Sequence, residues 1–309
     1  MKGGILLVPY KKREKSKLHK TLELLDARME LPDDKKRYYH ALKKGYEGER
    51  MFDRFLEQSL HNDCYVLNDL LLQHNNTTFQ IDNLLIFSEL VYPFEVKNFD
   101  GDYYYENEQI FSKSGLELVN PLNQLSKTES LLRKLLQSLN FPLPISPKIV
   151  FINPEFTLYQ APLDKPFLFH SQLHRFFKQL NEQPSHLTEK HKWLANKLIS
   201  LHISDYPVQQ LPKYRYDELR KGIICENCSS FALEIVGQKC VCRECKHVEV
   251  VRDAILRSVW EYRLLFPDRV ITTANIHEWC QIIESRRRIK RVLDENFEIV
   301  GSNRWISYK

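Results

Sequence analysis

Gln80-Ile81-Asp82-Asn83-Leu84, followed by Phe94-Glu95-Val96-Lys97-Asn98, is the stretch on which the reading of this chain turns. Both segments lie in short runs rich in β-branched and aromatic residues, Phe79 to Phe87 and Leu90 to Phe99. A third such run, Cys64 to Leu72, precedes them, and turn residues such as Asn75-Asn76 intervene, so the spacing predicts a three-strand meander. Side chains alternate along a strand. Asp82 is therefore expected to face opposite to Ile81 and Asn83, while Glu95 and Lys97 share one face and Phe94 and Val96 the other. A carboxylate beside an ammonium serves metal-assisted phosphodiester hydrolysis, because hard oxygens hold Mg²⁺ and the cation polarises water or offsets phosphate charge. An exposed strand face also carries such pairs simply as ion pairs. A second Glu-x-Lys, Glu244-Cys245-Lys246, shows that this spacing alone does not separate the two readings.

Upstream, Leu42, Tyr46, Phe52, Leu56 and Leu60 recur at helical spacing, which predicts an amphipathic helix over Ala41 to Leu60. Glu49 falls three residues from both Tyr46 and Phe52, on the apolar stripe, where a carboxylate needs a partner or a metal. Downstream, Asn120-Pro121 places a capping residue before Pro at the first helical position, and Leu125, Thr128, Leu132, Leu135 and Leu139 continue as one stripe. Gln124 flanks that stripe, either near the sheet or as a polar residue of the first turn. Pro142, Pro144 and Pro147 end the helix, and Lys148 to Ile152 is a further strand candidate. The order is helix, three strands, helix, strand.

Gly45-Tyr46-Glu47-Gly48-Glu49, Ile81-Asp82, Phe94-Glu95-Val96-Lys97-Asn98 with Gly101, and Asn120-Pro121 with Gln124 resemble, in this order, the motifs of the nuclease-related domain (NERD) family. The resemblance runs from about Tyr38 to Ile152. That family is placed in the PD-(D/E)xK superfamily, so it implies an α/β fold with a restriction-endonuclease-like core. It further implies a Mg²⁺ or Mn²⁺ site built from Asp82 and Glu95, with Lys97 beside the attacking water. Glu49 would hold a second metal or a metal water, and Gln124 would orient Lys97 or the scissile phosphate.

Seven cysteines are present, five of them between Cys225 and Cys245. Cys225-x-x-Cys228 and Cys242-x-x-Cys245 stand thirteen residues apart, the spacing of a four-thiolate tetrahedral shell for one structural Zn²⁺. Phe231, Leu233, Ile235 and Val236 supply a strand and Gly237-Gln238 a turn, which makes a zinc ribbon with Cys240 as a bystander. A closed shell of this kind stabilises a fold and leaves no position for reacting water. Beyond it the sequence reads as a helix from Val251, a break at Pro267, a short helix capped by Thr273 or Asn275, a helix capped by Ser285, and a hairpin around Gly301-Ser302-Asn303. That order resembles a winged helix, in which Arg286, Arg287, Arg288, Lys290, Arg291 and the wing residue Arg304 would contact DNA. A small basic module that binds protein is the other reading.

The composition, 43% hydrophobic and 28% charged, fits a folded chain of two or three modules, and a net charge of +5 is a weak pull on polyanions. Lys11 to Lys20, with six Lys/Arg against one Glu, is either a solvated helix face or a phosphate-contacting segment. Met1 to Tyr10 lacks the pattern of a signal peptide and no run approaches the length of a membrane span, so a cytoplasmic location without membrane contact is expected. No Walker-type phosphate loop and no RNA-recognition signature are present, which favours DNA over RNA and argues against ATP-driven action. The expected organisation is a basic extension (1–37), a nuclease-like domain (38–169), a helical connector (170–218), the ribbon (219–250) and the winged-helix-like tail (251–309). Two functions fit: a metal-dependent deoxyribonuclease, or a DNA-binding or regulatory protein that keeps the fold as an inactive scaffold.

Overall fold

A computed structural model describes residues 8–204, 211–302 and 305–309. In chain order the elements are α1 (Lys17–Arg28), α2 (Asp33–Ser59), β1 (Tyr65–His74), β2 (Thr77–Ile86), β3 (Val91–Lys97), β4 (Gly101–Glu106), β5 (Gln109–Ser112), α3 (Pro121–Ser138), β6 (Lys148–Phe151), β7 (Phe156–Tyr159), β8 (Phe167–Phe169), α4 (His170–Glu182) and α5 (Glu189–Ser200). There follow a 3₁₀ turn (Tyr216–Glu218), β9 (Leu233–Val236), β10 (Lys239–Cys242), β11 (Val248–Val250), α6 (Val251–Leu265), α7 (Thr273–Cys280), α8 (Arg286–Asn296), β12 (Ile299–Val300) and β13 (Ser307–Tyr308). Contacts divide the chain into two units, residues 1–16 with 40–207 and residues 17–39 with 208–309.

The first unit is built on a five-stranded sheet of order β1-β2-β3-β6-β8. The meander β1-β2-β3 is antiparallel, and β6 and β8 add in parallel after crossovers. Helices cover both faces, as a parallel half demands. On one face Phe52 and Leu56 of α2, Leu60 just after it, and Leu173, Phe177 and Leu180 of α4 pack with Leu85, Phe94 and Val96. On the other, Leu132, Leu135 and Leu136 of α3 and Leu194, Ala195 and Leu198 of α5 pack with Leu70, Leu72 and Ile86. The expected succession of helix, meander, helix and strand is present, and the fold is mixed α/β.

Several local expectations are corrected. The first long helix starts at Asp33, eight residues before Ala41, because Asp33 and Asp34 supply the acidic first turn that the helix dipole favours. Between the meander and α3 lies a hairpin, β4-β5, which β7 joins as a separate three-stranded sheet. Gly101-Asp102-Tyr103-Tyr104-Tyr105-Glu106 hides this strand from a periodicity reading, since its tyrosines are half-buried on both faces. Helix α5 begins after Thr188, and the Ser185 hydroxyl before it donates to the Asp63 carbonyl (2.6 Å).

In the second unit β11, β10 and β9 form a small antiparallel sheet. Helices α6, α7 and α8 follow, and Ile271, between α6 and α7, bridges Tyr308 of the β12-β13 hairpin. Ile255, Val259, Tyr262, Trp279, Ile289 and Leu293 are its buried apolar centre. Thr272 caps α7, accepting from the Asn275 amide at 3.1 Å, one residue before the expected Thr273. Arg28 of α1 is buried here, bonded to Glu261 (2.7 Å) and to the carbonyls of Arg220 and Gly222. No described helix is long and apolar enough to cross a membrane.

Candidate active site

Strands β2 and β3 pair from Ile86–Val91 to Asn83–Phe94, and one step further in this register Asp82 stands opposite Glu95. There the ladder opens, and the Val96 amide donates to the Asp82 carboxylate (2.8 Å) in place of a backbone oxygen. The two-residue period also breaks at this point. Ile81 lies in the same core cluster as Leu84 and Ile86, and on the partner strand Leu67 shares that cluster with Leu70 and Leu72. The break falls where Asp69, with φ of 53°, sits opposite Asp82 in the β1-β2 register. Regular alternation put Ile81 and Leu84 on opposite faces. The kink is what turns the Asp82 side chain toward β3.

Glu95 and Lys97 meet as alternation requires: Lys97 Nζ donates to Glu95 Oε1 at 2.7 Å and to Gln124 Oε1, in the first turn of α3, at 3.2 Å. The placement of Gln124 follows from the helix start, where Asn120 Oδ1 accepts from the Leu122 amide and Pro121 occupies the first helical position. Asp82 and Glu95 are buried. Burial, then the charge of Asp82, pushes the Glu95 carboxyl up to about 7 against the pull of Lys97. Burial likewise raises Asp82, opposed by the Val96 amide and by Lys97. Two buried carboxylates held above their ordinary range make a site that a divalent cation would stabilise, and their hard oxygens fit Mg²⁺ or Mn²⁺.

Glu49 comes from α2. Its carboxyl is pushed up to about 8, first by burial and then by Asp82, although Arg13 opposes this. Helix α2 approaches β3 closely because Gly48 has no side chain: a Cβ there would stand 2.4 Å from Asn98 Cβ. Asn98 in turn donates to the Lys44 carbonyl (2.9 Å), closing the contact. Gly48 and Asn98 thereby fix the height of Glu49 against Glu95.

Three participants were not singled out from the sequence. Arg13 donates to Glu49 (2.6 Å), to both oxygens of Asp53 (2.8 and 3.0 Å), to the Asp82 carbonyl (2.7 Å) and to Asn83 Oδ1 (3.1 Å). Asn83 also donates to Asp53 and to Asn68. Burial works against the Arg13 charge, yet the Asp53 bonds and the charges of Glu49, Asp53 and Asp82 raise its pKa further. The basic segment that begins at Lys11 is thus, at Lys11 and Arg13, neither a solvated helix face nor a free phosphate contact. Lys11 bonds the carbonyls of Asn68 and Asp69. Its burial in the fold has no signature in composition, because the partners lie some forty to seventy residues away.

The second unit holds the thiol site. Ligand atoms of Cys225, Cys228, Cys242 and Cys245 all lie within 4.8 Å of one another, the one such group of His, Cys, Asp or Glu among the described residues. Each pair forms the same tight turn. The Ser229 amide donates to the Cys225 carbonyl and the Lys246 amide to the Cys242 carbonyl, with positive φ at Ser229 and Lys246. Cys240 is buried on β10 outside the group. Four thiols at this separation fit Zn²⁺.

On α8, Ile289, Val292 and Leu293 are buried while Arg286 and Arg287 are exposed. Arg288 donates to the Gly237 carbonyl (3.0 Å), and Lys290 and Arg291 pair with Asp294 (2.7 Å) and Glu295 (2.9 Å) one turn on. Arg304 lies outside the described residues.

The family model described as nuclease-related domain matches residues 44–152, which covers α2 from the Gly45 region through β6 and bears out the resemblance. Among curated proteins and solved structures, nothing matches the chain.

Proposed function

We propose that this protein is a Mg²⁺- or Mn²⁺-dependent deoxyribonuclease whose centre is Asp82, Glu95 and Lys97. The observation that carries the reading is that two buried carboxylates on adjacent strands, Asp82 and Glu95, act on each other electrostatically, with Lys97 bonded to both Glu95 and Gln124. Asp82 and Glu95 would hold the divalent ion, which supplies Lewis-acid activation of water and charge for the phosphate when bound. Lys97, bonded to Glu95, lies where its ammonium positions water and offsets charge gathering on the phosphate. Gln124 aims that ammonium. The Val96 amide fixes one Asp82 oxygen and leaves the other for the ion.

The thiol ribbon is proposed to hold one structural Zn²⁺, and the helices and hairpin after it to form a winged-helix-like DNA contact. The bridge from Ile271 to Tyr308 supports this second reading, since it adds a third strand position between the first two helices of the tail to its hairpin. Arg286 and Arg287 are the side chains of α8 best placed for phosphate, because Lys290 and Arg291 already face carboxylates.

Cleavage of linear and nicked DNA in Mg²⁺ tests the catalytic reading. Glu95→Gln and Lys97→Ala are each expected to lower the rate by about a hundredfold or more, with circular dichroism unchanged. Full activity in both variants refutes it, whereas absence of cleavage by the wild type in Mg²⁺ or Mn²⁺ favours a DNA-binding protein that keeps the fold as a scaffold. For the tail, Arg286→Ala with Arg287→Ala should weaken DNA binding and flatten its salt dependence by roughly one to two counterions. An unchanged salt slope would mark α8 as a protein-contact surface.

A further inference from the structure

Arg13 is the most completely bonded side chain at the candidate centre, and it arrives there by a specific route. The Tyr10 and Lys11 amides donate to the Val66 carbonyl, and the Asn68 amide donates back to the Lys11 carbonyl, so this segment pairs in parallel with β1. The pairing delivers Arg13 to the acidic side of the unit, with its side chain only 3% exposed. There the guanidinium spends its donors on Glu49, on both oxygens of Asp53, on the Asp82 carbonyl and on Asn83. Arg is permanently charged and its fork is rigid, so it holds two carboxylates in fixed geometry without exchanging with solvent ions.

A second fact concerns the carboxylates themselves. The Asp82 and Glu95 carboxylates accept from the Val96 amide (2.8 Å) and from Lys97 (2.7 Å). Glu49 Oε2 is instead taken by Arg13 (2.6 Å), which meets Asp82 at its backbone carbonyl (2.7 Å).

We propose that Arg13 is a resident cation of the centre, which commits Glu49 and Asp53 to itself and restricts the site to one divalent ion, held by Asp82 and Glu95. Glu49 is then a positioning residue that acts through Arg13, and the place of a second ion is taken by a guanidinium. This rests on the nuclease reading above and replaces the expectation that Glu49 binds a metal. It also assigns a role to a segment outside the matched residues 44–152.

The test uses the full chain with its thiol site zinc-loaded, titrated with Mn²⁺ and followed by calorimetry and by the paramagnetic resonance of free Mn²⁺. The wild type should bind one Mn²⁺. Glu49→Gln should also bind one, with affinity changed by less than tenfold, whereas Asp82→Asn and Glu95→Gln should each weaken it by more than tenfold. Arg13→Met releases Glu49 and Asp53 and should admit a second Mn²⁺, while Arg13→Lys should not. Two Mn²⁺ in the wild type, or a loss beyond tenfold in Glu49→Gln, overturns the proposal and leaves the nuclease reading standing. A single Mn²⁺ in folded Arg13→Met overturns it as well. Should Arg13→Met fail to fold, the Glu49→Gln titration decides alone. Wild-type affinity in either Asp82→Asn or Glu95→Gln removes the metal pair itself, and both readings then fall.

Discussion

The thiol site and the carboxylate site are built by opposite designs. Four cysteines come from two short turns of identical build, each closed by its own backbone hydrogen bonds. The ligands can thus be placed within a few residues of chain. Asp82, Glu95, Lys97, Glu49 and Gln124 come from four elements and owe their meeting to packing: a break in the β1-β2 ladder at Asp69, a glycine in α2 and a capped start of α3. The first design stores its geometry locally and the second stores it in tertiary contacts. Accordingly, the first gathers thiols alone, whereas the second already holds two protein cations, Arg13 and Lys97.

This contrast breaks most readily at zinc. Cys242→Ser should abolish stoichiometric Zn²⁺ in elemental analysis and unfold the ribbon, since a structural zinc contributes on the order of 10 kcal/mol. Cys240→Ser should retain the metal. Equal zinc content in the two variants would show that the shell is not the one the turns define.

The tertiary design predicts a smaller effect from a change that touches no ligand. Gly48→Ala favours the helix by about 1 kcal/mol in propensity, yet its Cβ collides with Asn98 at 2.4 Å. Overpacking costs about 1–3 kcal/mol, so chemical denaturation should show a net loss, and cleavage should fall with Glu49 and Glu95 forced apart. A stabilised, fully active Gly48→Ala would mean that α2 need not sit so close to β3.

The mildest effect is in pH. Glu95 and Glu49 are raised to about 7 and about 8 in the folded chain, against about 4.3 unfolded. The folded state then binds more protons between those values. Stability of the zinc-loaded, Mg²⁺-free protein is greatest below about pH 4.5 as far as these groups are concerned, and declines as pH rises toward 8. Mn²⁺ should restore more melting temperature at pH 8 than at pH 6. A melting temperature that rises from pH 5 to pH 8 would show that the carboxyls are not held above their ordinary range.

Sequence reasoning reached the two sites unequally for the same physical reason. Spacing alone identified the four thiols and set Cys240 aside, because the ribbon's geometry is local. Alternation put Glu95 and Lys97 together, and the helical stripe put Glu49 on the inner face of α2. It missed the kink at Asp82, since a period of two assumes an unbroken strand and Asp69 gives no composition cue to its positive φ. It missed β4, whose tyrosines are half-buried on both faces. Arg13 looked like one more charge in a basic run, and only the pairing of its segment with β1 turns it inward.

That pairing has a kinetic side. Arg13 leaves the ribosome before any of its partners, and Asn83, the last of them, follows seventy residues later. Until β2 is made, the guanidinium stays in water. Closing so long a loop costs entropy that only later contacts repay. The acidic centre therefore reaches charge balance late, when the segment around Lys11 docks beside β1.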